Sequence, residues 1–116
     1  MKSRCTLKKN SDFRRLYAKG KSAATPYLVV YCRPNRLGVN RMGYTVSTKL
    51  GHAVVRNRVR RRFREIVRLN SAALSQGWDV ILVARGRAVE APYRKLDAAF
   101  LGACEKLGLV KKEAEA

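Results

Sequence analysis

Apolar positions along the chain follow two periods, and each stretch predicts an element. Over residues 11–19, Phe13, Leu16 and Tyr17 fall at helical spacing, with Ser11 placed to cap the start and Gly20 to end the segment. Residues 26–33, PYLVVYCR, are rich in strand formers, and alternation sets Tyr27, Val29 and Tyr31 on one face and Leu28, Val30 and Cys32 on the other. Arg33, Pro34 and Asn35 with Gly38 read as a turn. Residues 41–49 alternate strictly: Met42, Tyr44 and Val46 point to a core, and Arg41, Gly43, Thr45, Ser47 and Lys49 point away from it. Gly51 then separates this strand from a second helix, in which Val55, Val59, Phe63 and Ile66 fall within a sector of about 80° at ~100° per residue. Residues 78–84, WDVILVA, predict a buried strand. Residues 93–107 predict a third helix with Tyr93, Leu96, Phe100, Leu101, Cys104 and Leu107 on its apolar side. A further, very short strand is expected near 21–23. The order is helix, two or three strands, helix, strand, helix, which is an α+β layer fold with one small sheet.

The length of 116 residues suits one domain, 1–116, with an ordered core over 7–107 and a frayed tail over 108–116. Its charge is unusual: 26 Lys and Arg stand against 8 Asp and Glu, a net +18. The excess is lopsided, because residues 1–68 hold 19 basic and 2 acidic residues while 69–116 hold 7 and 6. The first two-thirds of the chain is therefore the binding part and the remainder reads as scaffold.

The charge concentrates in residues 56–68, RNRVRRRFREIVR, where seven of thirteen residues are arginine. A guanidinium keeps its charge at any physiological pH and pairs its N–H groups with phosphate oxygens. Arg56, Asn57, Arg60, Arg61, Arg64 and Arg68 fall on the broad face opposite the Val55–Val59–Phe63–Ile66 wedge. Arg62 lies at the edge of the wedge, where its stem packs and its head snorkels out. Arg58 lies on the other flank near Glu65, in reach of a weak ion pair. Pairing at i,i+4 cannot neutralise seven arginines with one glutamate, so a merely solvated helix fits poorly and a polyanion fits well. A membrane-surface helix fits poorly too, because the wedge is narrow and faces the rest of the domain.

Other chemistries find little support. The N-terminal ten residues have charge with no apolar stretch behind them, so a secretory signal is not expected. The apolar runs at 27–32 and 80–84 are far short of a membrane span. Cys5, Cys32 and Cys104 form no metal-ligand spacing and read as free thiols of a reducing cytoplasm, and with His52 the only histidine no metal site is expected. No nucleophile–base pair stands out, and Asp12, Asp79 and Asp97 are widely spaced, so no catalytic residue is assigned. The aromatic stripe of Phe13 and Tyr17, with Tyr27 and Tyr31 on the following strand, suits helix packing or stacking of unpaired bases, and the residues alone leave both open. Leu16 reads as core.

The stretch from Gly43 to Arg64, GYTVSTKLGHAVVRNRVRRRFR, resembles the signature of the bacterial ribonuclease P protein family, centred on Arg56-Asn57-Arg58 and the basic residues after it. Leu7-Lys8-Lys9-Asn10 with Asp12-Phe13, the strand at 27–31 and DVILVAR at 79–85 resemble the family's other segments in order, over most of 7–104. The resemblance implies a small α/β sandwich with a four-stranded mixed sheet in α-β-β-β-α-β-α order, like the second domain of ribosomal protein S5. It also implies a left-handed crossover around the arginine helix, against the usual hand.

The role it implies is that of the small subunit of a ribonucleoprotein that removes the 5′ leader from precursor tRNA. The RNA subunit carries the catalytic centre and its Mg2+, and the protein binds that RNA and the single-stranded leader. Contacts to the catalytic RNA are then expected from Lys49, Arg56, Asn57, Arg58, Arg60, Arg61, Arg64 and Arg68, with Arg62 at a position where the family varies. A leader-binding cleft is expected from Phe13, Tyr17, Val29, Tyr31 and Thr45. Ribonuclease P RNA and precursor tRNA are the expected partners, with no membrane and no obligate protein partner, in the cytoplasm. His52 departs from the asparagine or lysine expected there, and Thr48 from a second basic residue beside Lys49, so the local positive rim is slightly weaker. A ribosomal or RNA-chaperone protein using the same helix is the competing class. A stand-alone nuclease is a third, disfavoured by the lack of a catalytic constellation.

Overall fold

Alternation along the strands builds one sheet with a helix on one face and two on the other. A computed structural model describes residues 6, 7 and 9–111, and the expectations for Cys5, Lys8 and residues 112–116 lie outside them. The elements run α1 (Asn10–Lys19), β1 (Lys21–Ala24), β2 (Leu28–Pro34), β3 (Arg41–Thr45), α2 (Ala53–Asn70), β4 (Trp78–Ala84) and α3 (Tyr93–Leu107), with short 3-10 turns at Thr48–Leu50, Ser71–Ala73 and Gly86–Val89. The strands lie in the order β1-β2-β4-β3. β2 pairs antiparallel with β1 and with β4, while β3 runs parallel to β4 through the α2 crossover, so the sheet is mixed as expected.

β4 is central and reads WDVILVA because both of its faces are covered. On one side Leu28, Val30, Cys32, Val80 and Leu82 meet Val59, Phe63 and Ile66 of α2 and Leu96, Phe100 and Cys104 of α3. On the other side a smaller core joins Leu7, Leu16 and Ile81, with Phe13, Tyr31 and Val83 packed against it. Burying about a dozen large apolar side chains at ~1.5–3 kcal/mol each is the main force for folding here.

Local chemistry corrects four expectations. Ser11 does not cap α1; the helix starts earlier, with Lys9 at the cap position and its carbonyl accepting from the N–H groups of Asp12 and Phe13 at 3.0 and 3.3 Å. β3 ends at Thr45 rather than running to residue 49, because the Ser47 hydroxyl accepts the Lys49 N–H at 3.1 Å and bends the chain into a 3-10 turn. Tyr27 does not share a face with Val29 and Tyr31. It precedes β2 in a turn organised by Thr25, whose hydroxyl accepts from the N–H of Tyr27 and of Leu28, and it packs against the α2–α3 core.

The fraying expected from residue 108 also begins too early: Leu109 is buried, Val110 bridges Leu74, and the N–H of Lys111 donates to the Ala73 carbonyl at 2.8 Å. At the start of α2, Gly51 takes φ 144°, a conformation open to glycine and strained for other residues, and turns the chain into the arginine helix.

Candidate nucleic-acid interface

Three rows of side chains cross the α1 face of the sheet. Arg33, Asp79 and Arg41 form the first row, Tyr31, Ile81 and Gly43 the second, and Val29, Val83 and Thr45 the third. α1 lies over the second row. Its Phe13 ring rests on Gly43, where an added Cβ would sit 2.8 Å from Cζ, so only glycine allows this approach. Leu16 is buried against Ile81.

The third row is left half-buried, with Tyr17 and Tyr31 at its edge. Their rings meet edge to face at 4.9 Å, and the Tyr17 hydroxyl lies 2.9 Å from Thr45 Oγ1. Phe13, Tyr17, Val29, Tyr31 and Thr45 therefore lie on the same side of the sheet, around α1, with Tyr17 the most open at 41% exposure. Val83 belongs with them and was missed. Its period-2 relation to the buried Ile81 was legible, but the place where α1 stops covering the sheet was not.

The first row is charged. Asp79 accepts from Arg41 Nε and Nη2 at 2.8 and 2.7 Å and from Asn35 Nδ2 at 2.9 Å. Burial pushes the Asp79 carboxyl up, but the hydrogen bonds from Arg41 and Asn35 and the guanidinium charge outweigh it and hold the group below the ordinary carboxylate range. Arg15, Arg33 and Arg36 surround this pair in a cavity of about 410 Å³, so this end of the α1 face is positive.

On the opposite side of the sheet, α2 buries Val59, Phe63, Ile66 and Val67, while Val55 is only half-buried. Asn57, Arg58, Arg61, Arg64 and Arg68 are exposed, and Arg56 and Arg60 half-buried. Among the described residues the side chains of Arg58 and Arg61 have no hydrogen bond or ion pair. Arg56 Nε donates to the Gly51 carbonyl at 3.2 Å, and Arg60 Nη1 to Asn57 Oδ1 at 3.0 Å. Arg64 lies over the Tyr44 ring, 5.7 Å from its centroid. Burial pushes the Tyr44 hydroxyl up to about 12 despite that cation, so the ring offers Arg64 a neutral π face. The sequence did not reveal this platform, since Tyr44 read simply as core.

Two arginines are differently engaged from expectation. Arg62 Nη2 donates to the Ala91 carbonyl, so its head ties α2 to the chain before α3 instead of reaching into solvent. Glu65 pairs with Arg68 at 2.6 Å and not with Arg58, because i,i+3 neighbours share a helix face. Lys49 is exposed in the turn that leads to α2. The first turn of α2 holds no acidic residue, so the positive end of the helix and the arginine charges add. No three His, Cys, Asp or Glu side chains among the described residues are grouped to hold a metal ion. No helix among them is long and apolar enough to cross a membrane.

Comparison with known proteins gives this geometry its family. A family model described as Ribonuclease P matches residues 1–108. The chain is 46% identical to the ribonuclease P protein component of Natranaerobius thermophilus over 107 residues, 92% of this chain and 93% of that one. It is 50% identical to that of Caldanaerobacter subterraneus over 90 residues, 78% of each chain. Among solved structures, the RNase P protein of Staphylococcus aureus superposes with TM-score 0.84 at 31% identity, covering 92% of this chain and 98% of that one. The RNase P protein of Thermotoga maritima superposes with TM-score 0.78 at 29% identity, covering 84% and 92%. The chain therefore belongs to the ribonuclease P protein family, as a protein subunit of the endoribonuclease that works with an RNA subunit in tRNA 5′ processing.

Proposed function

We propose that the two faces of the sheet divide the work of this subunit. The arginine face of α2, with Lys49, Arg56, Asn57, Arg58, Arg60, Arg61 and Arg64, binds the catalytic RNA. The cleft on the α1 face holds the single-stranded 5′ leader of precursor tRNA. The observation that carries the reading is the pair of surfaces itself: unpaired guanidiniums of Arg58 and Arg61 on one side, and on the other a half-buried apolar row edged by Tyr17 and Tyr31, with arginines on the same sheet face beyond α1. Aromatic rings beside a positive rim take unpaired bases without reading their identity. Arg68 and Arg62 contribute less, being held by Glu65 and by the Ala91 carbonyl.

Cleavage in this reading is RNA chemistry that the protein assists by charge and position. Asp12 and Asp79 both face Arg41 and do not suit Mg2+, and the ions are assigned to the RNA. The protein offsets phosphate repulsion as the RNA folds around its active centre, and fixes the leader so that the scissile bond is presented in one register. The cytoplasm, where tRNA precursors are made, is the site of action proposed. The test is the affinity of the protein assembled with a bacterial ribonuclease P RNA for precursor against mature tRNA. Tighter binding of the precursor is expected, and equal affinity would contradict the cleft assignment.

A further inference from the structure

A second cleft, of about 580 Å³, lies between the turn Thr48–Leu50, the turn Gly86–Val89 and the first residues of α3. Tyr27, Leu50 and Pro92 supply apolar walls, Lys49, Arg87 and Lys95 positive charge, and Glu90 the one negative charge. None of these four charged side chains makes a hydrogen bond or ion pair among the described residues. Elsewhere among the described residues Asp12, Glu65, Asp79 and Asp97 are engaged with an arginine or an asparagine, while Glu105, exposed on α3, is unpaired like Glu90. The cleft thus gathers three unpaired cations and a carboxylate around an apolar wall.

We propose that this cleft takes one unstacked nucleotide of the RNA subunit, with its base against Tyr27, Leu50 and Pro92 and its phosphate among Lys49, Arg87 and Lys95. Glu90 then accepts from an exocyclic amino group of the base, which favours cytosine, adenine or guanine over uracil. The proposal rests on the RNA-binding reading of α2 and extends it. The size suits a small ligand. A bare phosphate has no use for the apolar wall, and the cationic excess suits an anion.

Position supports the same ligand. Arg62 of α2 donates to the carbonyl of Ala91, a lining residue, so the cleft is braced on the arginine helix. Lys49 belongs to both surfaces. RNA held on the α2 face has the cleft at its margin, and single-stranded RNA is read by splaying bases onto aromatic side chains and bonding their edges.

The first test titrates the full chain with CMP, UMP and inorganic phosphate, following the amide signals of Gly86, Val89 and Glu90. CMP should shift them saturably, and UMP should bind about fivefold more weakly, the lower end of discrimination by a base-edge contact. Glu90→Gln should abolish that difference. An equal response to inorganic phosphate, or none to CMP, overturns the proposal.

A second measurement places a photoreactive benzophenone at position 87 in the complex with a bacterial ribonuclease P RNA. A crosslink to one unpaired nucleotide with an amino-bearing base is expected. Crosslinks to duplex RNA or to no RNA overturn the proposal. The two readings separate cleanly: affinity for the RNA subunit unchanged by Arg61→Ala and Arg64→Ala while CMP fills this cleft removes the α2 assignment and leaves the pocket. The reverse outcome removes the pocket alone.

Discussion

The hydroxyl of Tyr17 lies 2.9 Å from Oγ1 of Thr45, joining α1 to the edge strand β3 across the open row of the sheet. The contact holds an exposed aromatic ring upright beside Tyr31. Tyr17→Ala should then reduce the preference of the assembled enzyme for precursor over mature tRNA by about 1–3 kcal/mol, the worth of one stacked base. Tyr17→Phe should keep most of the preference. Equilibrium binding of the two RNAs checks both. Phe13 is different, because its ring is seated on Gly43, and Phe13→Ala should lower the melting temperature as well as the preference.

Gly43→Ala tests that seat. An added methyl would meet Phe13 Cζ at 2.8 Å, and the ring has Leu7 on the same side, 3.3 Å from the new atom. Overpacking of this kind costs about 1–3 kcal/mol. Thermal unfolding should show the loss, and Gly43→Ala combined with Phe13→Leu should recover part of it.

The arginines of α2 divide into two experimental groups. Arg61→Ala and Arg64→Ala should weaken binding to the RNA subunit and lower the slope of log affinity against log salt by about 0.7–0.9 each, with little change in melting temperature. Arg62→Ala should do the opposite, since its guanidinium satisfies the Ala91 carbonyl and links α2 to the start of α3. A melting temperature that falls for Arg61→Ala as far as for Arg62→Ala would return the exposed arginines to a structural role.

Acid should loosen the α1 face through Asp79. Its folded-state pKa is held below the ordinary value, so its stabilisation is complete above the unfolded pKa of about 3.9 and is lost as pH falls through the folded value. Asp79→Asn should flatten the stability profile below about pH 4. Arg41→Ala at neutral pH should cost about 2–3 kcal/mol, under the full penalty of an uncompensated buried charge because both side chains keep some exposure. Urea unfolding from pH 7 to pH 2 reads all three proteins.

Much of this architecture was legible in local patterns, for identifiable reasons. The strict alternation of Met42, Tyr44 and Val46 follows from an edge strand with one face on the core, and the unbroken WDVILVA run from an inner strand covered on both faces, which is the observed β4. The wedge of Val59, Phe63 and Ile66 followed from helical spacing, and all three are buried. What periodicity does not carry is the extent of one element over another. Where α1 stops on the sheet decides that Val83 joins the cleft and that Leu16 does not. The turn around Thr25 decides that Tyr27 leaves the face its spacing assigned, and i,i+3 geometry decides that Glu65 takes Arg68. These are choices among local partners of equal sequence merit, settled only when the layers pack.

The central claim is that this protein assists a catalytic RNA by binding it and the leader. The most direct measurement is cleavage of a precursor tRNA at low magnesium by a bacterial ribonuclease P RNA, with and without the protein. Strong stimulation, together with no cleavage by the protein alone, is the predicted result. Tight binding to the RNA with no stimulation, or cleavage by the protein alone, would contradict it.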